Sequence, residues 1–306
     1  MAAVAKMKLT AIVPWFGSKR TLAPQVIDEI GDHGAYWEPF CGSMAVLLAK
    51  APCPMEVVND LHGDLVNLAR VIQHEKFGAQ LYRRLRRVLM HETFFNDQAV
   101  AVRSYANSPV GADPDVDRAF AYFICSWMGR NGVSGTQSYN QGFCRRFTSN
   151  GGHGAKRWNS AVESIPAWRW RLRNVQIFAM DAFDMLAAKG GIEDKKGTVI
   201  YCDPPYFTKG AKYVHDFVPM NDKKGRESDH ERLAALLQRF EETKVVVSYY
   251  DDPHLDVLYP STRWSKIQVP VRKSLSQGLK AQGESNEAVA PEVLLVNRVQ
   301  AFRELF

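Results

Sequence analysis

An acidic residue, two prolines and an aromatic residue form the segment of the chain best suited to chemistry. Asp203-Pro204-Pro205-Tyr206 directly follows the apolar run from Thr198 to Tyr201, and ligand sites in open α/β sheets form where strands end. Asp203 supplies a carboxylate. The prolines restrict the backbone and lack N–H groups, so the Pro204 carbonyl is free to accept a second hydrogen bond. Two such acceptors can hold the exocyclic amine of a planar base, on which Tyr206 can stack.

Modifying such an amine is demanding because its lone pair is delocalised into the ring. The site must bind the amine through its hydrogens and direct the lone pair at a methyl donor. A base in a duplex must first leave its stack, and an aromatic platform offsets this cost by about 1–3 kcal/mol. The tetrapeptide therefore predicts methyl transfer to a planar amine. The alternative is a proline-stiffened turn with no chemical role.

A glycine turn nearer the N-terminus has the layout of a nucleotide-binding site. Glu38-Pro39-Phe40-Cys41-Gly42-Ser43-Met44-Ala45 precedes the apolar run Val46-Leu47-Leu48, and Asp60 follows about twenty residues later. A glycine allows the backbone to approach a ligand closely, and an acidic residue at the end of the next strand can bind ribose hydroxyls. A glycine before a helix is more often an ordinary turn, but its pairing with Asp60 favours a cofactor site.

Short β-branched runs alternate with helical patterns along the chain. The runs are Val57–Asp60, Val175–Phe178, Thr198–Tyr201 and Val245–Ser248. Apolar residues recur at helical spacing in Met44–Lys50 and His230–Glu242. This alternation predicts an α/β fold with a sheet of buried parallel strands and right-handed crossovers. A polar stretch after Pro270 predicts a long hairpin loop that returns to a final strand at Glu292–Asn297.

The middle third of the chain interrupts this alternation and carries the basic charge. From Arg70 to Asn174 there are 16 Lys and Arg and 7 Asp and Glu, whereas the remainder has 23 and 26. We expect residues 71–174 to form an inserted domain of helices, one of them at Phe77–Met90, and loops. Residues 1–70 and 175–306 would form the catalytic domain.

The positive excess of this middle third favours a nucleic-acid partner, because Lys and Arg neutralise phosphates. Basic clusters at Arg145-Arg146 and Lys156-Arg157 lie within it. For any one cluster the alternative is a solvated helix face. The tryptophans of this interval are individually more typical of a core than of a base contact; they are Trp158, Trp168 and Trp170.

Composition argues against several classes of protein. No run approaches the roughly 18 apolar residues of a membrane-spanning helix, and the first ten residues lack the apolar core of a secretory signal. We therefore expect a soluble, cytoplasmic protein without a membrane partner. The five cysteines are scattered and form no Cys-x-x-Cys pair, so we expect neither disulfides nor a metal site.

Four motifs occur in an order that resembles a known family. They are Trp15-Phe16-Gly17-Ser18-Lys19, the Glu-Pro-Phe-x-Gly turn, Asn59-Asp60 and the Asp-Pro-Pro-Tyr segment. Together they resemble the Dam-type, alpha-group DNA adenine-N6 methyltransferases from Pro14 to Asn297, although only loosely in the middle third. The resemblance implies a Rossmann-like sheet that binds S-adenosyl-L-methionine, with an inserted target-recognition lobe. It implies direct, site-specific methylation of a flipped adenine in double-stranded DNA, without a covalent enzyme intermediate, by a monomer or weak dimer.

The resemblance also implies roles for individual residues. The cofactor would be bound at its methionine end by the first motif, along the glycine turn, at its ribose by Asp60 and at its adenine by the segment from Asp181. The cofactor-binding residues are then Trp15, Phe16, Gly17, Lys19, Glu38, Phe40, Gly42, Ser43, Asp60, Asp181, Ala182, Phe183 and Asp203. Catalysis would fall to Asp203, Pro204, Pro205 and Tyr206. The residues expected to contact DNA are Arg130, Asn131, Gln137, Asn140, Arg145, Arg146, Lys156 and Arg157.

Several alternatives stay open at this stage. The same geometry can serve the amine of cytosine or a base in RNA, although cytosine enzymes resemble a version of the tetrapeptide that begins with Ser. Ser18 and Met44 stand where the family usually has glycine, so a DNA-binding protein that has lost its cofactor is a further alternative. Service in a restriction-modification system, in a phage or prophage, or in regulation is equally compatible with the sequence.

Overall fold

A twisted sheet with helices on both faces forms the centre of the molecule. The computed structural model describes residues 9–15, 17–105, 108–129, 142–145, 153–187, 191–207, 213, 215–269 and 291–298. The sheet has seven strands in the order β3-β2-β1-β4-β5-β7-β6. These are β1 Ala35–Glu38, β2 Met55–Asn59, β3 Val175–Phe178, β4 Thr198–Cys202, β5 Lys244–Tyr250, β6 Trp264–Gln268 and β7 Glu292–Asn297.

Strands β1 to β5 run parallel, and β7 lies antiparallel between β5 and β6. Every residue of β4 is buried, as expected for a parallel strand that is covered on both faces. The strand order reverses between β1 and β4, and a crevice forms at such a switch point beyond the carboxyl ends of the strands. The predicted α/β fold is confirmed, and Asp203 follows β4 at this crevice.

Two strands of the sheet have no counterpart among the predicted runs. Strand β1 reads Ala35-Tyr36-Trp37-Glu38 and has no β-branched residue. Strand β6 is only partly buried between Trp264 and Gln268. Both strands contain aromatic residues that favour strands, but neither has the β-branched run on which the prediction was based.

The helices fall into two groups. Those on one face of the sheet, or packed onto that group, are α1 Ala23–Ile30, α2 Ala45–Ala49, α3 Gly63–Gln73, α4 Glu75–Leu85, α5 Glu92–Tyr105, α6 Val116–Met128 and α7 Gly154–Leu172. Those on the other face are α8 Ala182–Leu186, α9 Asp229–Leu237 and α10 His254–Leu258. The sheet is therefore the middle layer of three.

Two helix boundaries differ from the sequence-based prediction. The helix predicted at Phe77–Met90 is α4, which ends at Leu85. The helix predicted at His230–Glu242 is α9, which ends at Leu237. The Asp194 carboxylate accepts hydrogen bonds from the backbone N–H groups of residues 241 to 243. Because those N–H groups bind Asp194, the chain leaves the helix before them although Phe240 continues the apolar pattern.

The helices of the middle third share a hydrophobic core with the sheet. Phe123 of α6 lies 5.6 Å from Trp158 and 6.4 Å from Trp168 of α7, measured between ring centroids. These rings belong to the same buried cluster as Tyr36 of β1 and Tyr201 of β4. The core position expected for Trp158 and Trp168 is correct, whereas Trp170 is 54% exposed. The division of the chain at residues 71 and 174 stays a prediction.

Buried ion pairs tie this helical part to the sheet. The Glu56 carboxylate on β2 lies 2.5 Å from the Arg171 guanidinium and 2.6 Å from Lys50 Nζ. Arg171 also donates to the Leu47 carbonyl. On α6, Arg118 Nε donates to Asp64 at 2.6 Å. Arg118 and Arg171 are each 6% exposed, so part of the positive excess serves the core rather than the surface.

The described part of the chain has neither a membrane-spanning helix nor a cluster of metal-ligating side chains. Among the described residues, no helix combines the length and hydrophobicity that crossing a bilayer requires. Nor do the described His, Cys, Asp and Glu side chains form a group of three or more suited to a metal ion.

Candidate active site

A cavity of about 430 Å³ lies at the carboxyl ends of β1, β2 and β4, within the range typical of cofactor pockets. Most of the predicted cofactor-binding and catalytic residues line it. They are Trp15, Lys19, Glu38, Phe40, Gly42, Ser43, Asp60, Asp181, Ala182, Phe183, Asp203, Pro204 and Pro205. The Gly17 carbonyl accepts a hydrogen bond from Lys19, and the Tyr206 hydroxyl donates one to Asp203. Phe16 lies outside the described residues.

The Asp203 carboxylate is bound through one of its two oxygens. Lys19 Nζ lies 2.9 Å from Oδ1, and the Tyr206 hydroxyl donates to the same atom at 3.2 Å. Among the described residues neither contact involves Oδ2, which is therefore the oxygen open to a ligand. The Tyr206 ring packs edge-on against Tyr250, 4.6 Å away. Its hydroxyl thus orients Asp203, a role that the sequence did not indicate, and its stacking on a base stays a prediction.

A second carboxylate shares the same donors. Glu292 Oε1 lies 3.2 Å from Lys19 Nζ and 3.0 Å from the Tyr206 hydroxyl, whose single hydrogen is shared between Glu292 and Asp203. Glu292 is the first residue of β7 and pairs with Tyr250 at the carboxyl end of β5. Sequence reasoning identified the strand but not this side chain, because only the antiparallel pairing of β7 places its first residue at the site.

Burial and charge act on these groups in opposite directions. Burial alone would lower the pKa of Lys19, but the carboxylates of Asp203 and Glu292 raise it above its usual value. Burial raises the pKa of Asp203, Glu292 adds to the rise, and the Lys19 ammonium opposes it. Lys19 is therefore a cation at neutral pH, and its charge limits the rise in the pKa of Asp203.

The glycine turn packs tightly against Trp15. Gly42 has a φ of 45°, and a Cβ atom added there would lie 3.0 Å from Trp15 Nε1. Its N–H donates to Asp60 Oδ2 at 2.9 Å, and Asp60 Oδ1 accepts from the His62 N–H at 2.8 Å. These two hydrogen bonds orient the Asp60 carboxylate at the cavity wall.

Ser18 and Met44, the two residues that stand where the resembled family usually has glycine, have different structural consequences. The hydroxyls of Ser18 and Ser43 lie 2.9 Å apart and link the first motif to the glycine turn. Met44 has a φ of 59°, a left-handed backbone that favours glycine. Its side chain is fully buried in the hydrophobic core. Met44 therefore does not project into the cavity.

Aromatic side chains surround the far end of the cavity. Phe217 lies 5.7 Å from Phe40 and 5.6 Å from Phe183, measured between ring centroids. The Arg232 guanidinium lies 4.2 Å from the centre of the Phe183 ring. Asp181 Oδ1 caps helix α8 by accepting from the Phe183 N–H. Phe217 and Arg232 were not predicted, since they follow no motif and reach the cavity only through the fold.

Glu38 is the wall residue best matched to a cationic ligand. Its side chain is 2% exposed, and its Oε2 has no hydrogen-bond partner among the described residues. Burial, with a further contribution from Asp203, raises the pKa of Glu38 to about 8. A buried carboxylate with one oxygen left without a partner among the described residues fits a ligand with positive charge, and S-adenosyl-L-methionine carries a sulfonium and an ammonium group.

The residues expected to contact DNA are only partly described. Arg130, Asn131, Gln137, Asn140 and Arg146 lie outside the described residues. Arg145 forms an ion pair with Glu92. Lys156 and Arg157 lie in the first turn of α7. Desolvation and the positive charge of Arg157 lower the pKa of Arg20, so this turn lies within electrostatic range of the segment that carries Lys19.

Other surface arginines of this part are paired with acids. Arg84 lies 2.6 Å from Asp117, and Arg169 lies 3.3 Å from Glu75. With Arg118 and Arg171 buried, the positive charge open to a partner is smaller than the count of residues implies. The contribution of this part to DNA binding therefore depends on fewer cations than the sequence predicts.

Comparison with known proteins points to the same family as the sequence motifs. A family model described as D12 class N6 adenine-specific DNA methyltransferase matches residues 15–272. The DNA N-6-adenine-methyltransferase of Escherichia phage P1 is 24% identical over 274 residues, which make up 87% of this chain and 33% of that protein. The chain therefore spans about a third of the length of that relative.

This chain also has some similarity to a solved structure. The rRNA methyltransferase aviRa from Streptomyces viridochromogenes superposes with a TM-score of 0.37 at 15% identity, over 93% of this chain and 86% of that one. The family match, in contrast, extends over most of the chain, from the tryptophan of the first motif to beyond β6. It confirms the resemblance found in the sequence. The chain belongs to the D12 class N6 adenine-specific DNA methyltransferase family.

Proposed function

We propose that this chain transfers a methyl group from S-adenosyl-L-methionine to the N6 amine of an adenine in double-stranded DNA. The proposal rests on the contacts made by the two oxygens of the Asp203 carboxylate. Lys19 and Tyr206 hold its Oδ1 beside the cavity, while Oδ2 is left to accept a hydrogen bond from an amine. Membership of the adenine-specific family supports adenine as the base.

The two acceptors at the end of β4 orient the amine. Asp203 Oδ2 and the Pro204 carbonyl each accept one N–H, which turns the nitrogen lone pair toward the methyl donor. When bound, S-adenosyl-L-methionine would supply the methyl group, whose bond to sulfur would break with its electron pair left on sulfur as the amine nitrogen forms the new bond to carbon. The Asp203 carboxylate, hydrogen-bonded to that nitrogen, is placed to accept the proton that the nitrogen then loses and to pass it to solvent. No protein nucleophile is required, because the amine itself attacks the methyl group.

The adenine must leave the duplex to reach this site. We propose that it flips into the space in front of Pro204 and Pro205, since enzymes that modify a base take it out of the stack. Arg157 and Lys156 at the start of α7, with Arg20, supply cations for the adjacent phosphates. Arg145 and the residues outside the described ranges complete the proposed recognition surface. Because the phage relative is about three times as long, the substrate of the whole protein is part of this proposal.

Nucleoside analysis tests the proposed reaction. Purified protein is incubated with S-adenosyl-L-methionine labelled on its methyl group and with DNA of mixed sequence, and the digested nucleosides are separated. We expect label in N6-methyladenine. Label in N4-methylcytosine, or in RNA offered in parallel, would replace adenine in DNA as the substrate. Calorimetry that detects DNA binding but no cofactor binding would instead indicate a silent member of the family.

Cofactor affinity is expected to rise with pH because of Glu38. Its pKa of about 8 in the free protein means that it is protonated at pH 6.5, whereas a cationic ligand favours its ionised form. Binding must then release a proton, so affinity should rise on the order of tenfold from pH 6.5 to 8.5 and level off above the pKa. Isothermal titration calorimetry measures both the affinity and the proton release, the latter from buffers of different ionisation enthalpy.

The Glu38→Gln variant is the control for this pH dependence. It experiences the same titration of the ligand's own amine but has no carboxylate to ionise. A rise of the same size in Glu38→Gln and in the wild-type protein would show that Glu38 does not control binding.

Gly42→Ala is expected to weaken cofactor binding about tenfold, since a left-handed backbone costs a residue with a Cβ about 1–2 kcal/mol. The new Cβ would also press on Trp15 at 3.0 Å. Gly197→Ala is the matched control, because Gly197 has a φ of 75° but no atom within 4 Å of its added Cβ. Titration of S-adenosyl-L-methionine should distinguish the two variants; equal affinities would contradict a tight turn at Gly42.

A further inference from the structure

Glu292 occupies a position that the reaction itself does not explain. It begins β7, far along the chain from the tetrapeptide, and pairs with Tyr250 across the antiparallel ladder. Its side chain is only 14% exposed. Burying a carboxylate is costly unless it is paired, and Glu292 meets this cost with Lys19 at 3.2 Å and Tyr206 at 3.0 Å.

The two partners of Glu292 are also the two partners of Asp203. Lys19 Nζ lies 2.9 Å from Asp203 Oδ1, and the Tyr206 hydroxyl lies 3.2 Å from the same oxygen. One ammonium group therefore lies between two carboxylates. Without the second carboxylate, Lys19 would pair with Asp203 alone and cancel its charge.

This sharing bears directly on how Asp203 binds an amine. A carboxylate accepts stronger hydrogen bonds when its charge is not neutralised by a close cation. Lys19 is itself held between the carboxylates by the Gly17 carbonyl, 2.9 Å from Nζ, and it lies 4.9 Å from the centre of the Tyr206 ring. Lys19 Nζ therefore has a fixed position between the two carboxylates. At this position its attraction to Glu292 weakens its interaction with Asp203.

We propose that Glu292 is a positioning residue for methyl transfer, which holds Lys19 and Tyr206 between two carboxylates so that Asp203 remains a strongly basic hydrogen-bond acceptor for the substrate amine. The inference rests on the proposed function. It adds to that function a group outside the tetrapeptide and the cofactor motifs. It also gives β7 a part in the chemistry as well as in the sheet.

The Glu292→Gln variant tests the proposal, since glutamine keeps the size and the acceptor oxygen but removes the charge. We expect kcat to fall about tenfold while the KM values for DNA and cofactor stay near those of the wild-type protein, because the change affects the reacting amine rather than ground-state binding. Glu292→Asp, which keeps the charge, should recover part of the loss. Equal kcat values for Glu292→Gln and wild type would overturn the proposal.

The titration of Asp203 provides a second readout that does not depend on turnover. Glu292 raises the pKa of Asp203, so removal of its charge should make Asp203 titrate at lower pH. The other described groups that interact electrostatically with this carboxylate are all retained in the variant; they are Lys19, Glu38, Tyr201, Cys202, Tyr206, Tyr213, Tyr249 and Tyr250. Carboxyl-carbon NMR of protein labelled at aspartate measures this, with Asp203→Asn to assign the signal.

The two readouts separate failure of this inference from failure of the proposed function. If wild-type protein methylates no adenine, the proposed function is wrong, and the NMR titration still decides whether Glu292 controls the charge of Asp203. If wild-type protein is active and Glu292→Gln leaves both kcat and the titration unchanged, Glu292 has only a structural role. A lower Asp203 titration together with a reduced kcat supports the proposal.

Discussion

Asp203→Asn is expected to lower kcat for methyl transfer by about 100- to 1,000-fold, the loss typical when one group that stabilises developing charge is removed. Asparagine keeps the shape of the side chain. Its amide, however, cannot take up the positive charge that develops on the amine nitrogen, and in one of its orientations it presents N–H groups to an amine that also donates. Lys19 would at the same time lose one of its two carboxylates.

Single-turnover assays with labelled cofactor measure this loss, and calorimetry measures cofactor affinity separately. Affinity should change by less than about tenfold, since the charge that Asp203 provides is needed most in the transition state. Glu193→Gln is the control, because it also removes a carboxylate but from a side chain that is 78% exposed and bound to Lys195. A kcat for Asp203→Asn within tenfold of the wild-type value would contradict the proposed chemistry.

Arg171→Ala is expected to lower the free energy of unfolding by about 3–5 kcal/mol, the usual cost of breaking a buried ion pair. Arg171 donates to both oxygens of Glu56, which is itself 4% exposed. Its loss leaves Lys50 as the remaining cation within 4 Å of that carboxylate among the described residues. Urea unfolding followed by circular dichroism measures the change.

Arg173→Ala is the matched control for this loss of stability. Arg173 is two residues further along the chain and stacks on the exposed Trp170 ring at 4.2 Å, a contact worth about 0.5–1 kcal/mol at an exposed site. If Arg171→Ala cost no more than Arg173→Ala, the ion pair would not be what ties α7 to the sheet. The wild-type protein should bind DNA as tightly as Arg171→Ala does when both are folded, because Arg171 is inaccessible.

Much of the fold was predictable because the sheet leaves a strong pattern. Strands such as β4 and β5 are buried on both faces and therefore read as continuous apolar runs. The candidate site was predictable for a related reason. Residues that follow parallel strands, such as Asp60 and Asp203, must meet at one edge of the sheet. Their types then suggested the chemistry.

The features that the sequence did not predict depend on contacts between distant parts of the chain. Glu292 carries no local signal, since a glutamate at the start of a strand is ordinary until β7 pairs with β5. The charge of the middle third was misleading for the same reason. Arg118 and Arg171 contribute to the positive excess counted in the sequence, but Asp64 and Glu56 bind them in the core. The expected base-reading residues Asn131, Gln137 and Asn140 lie outside the described residues and stay predictions.

The shared core of sheet and helices limits how target specificity can be altered. Trp158 and Trp168 pack into the same cluster as Tyr36 and Tyr201 of the sheet. In a chimera that took the whole of residues 71–174 from another enzyme, the incoming side chains would therefore have to pack against this sheet as Trp158 and Trp168 do. The helices of this interval and the sheet that they cover would have to be exchanged together.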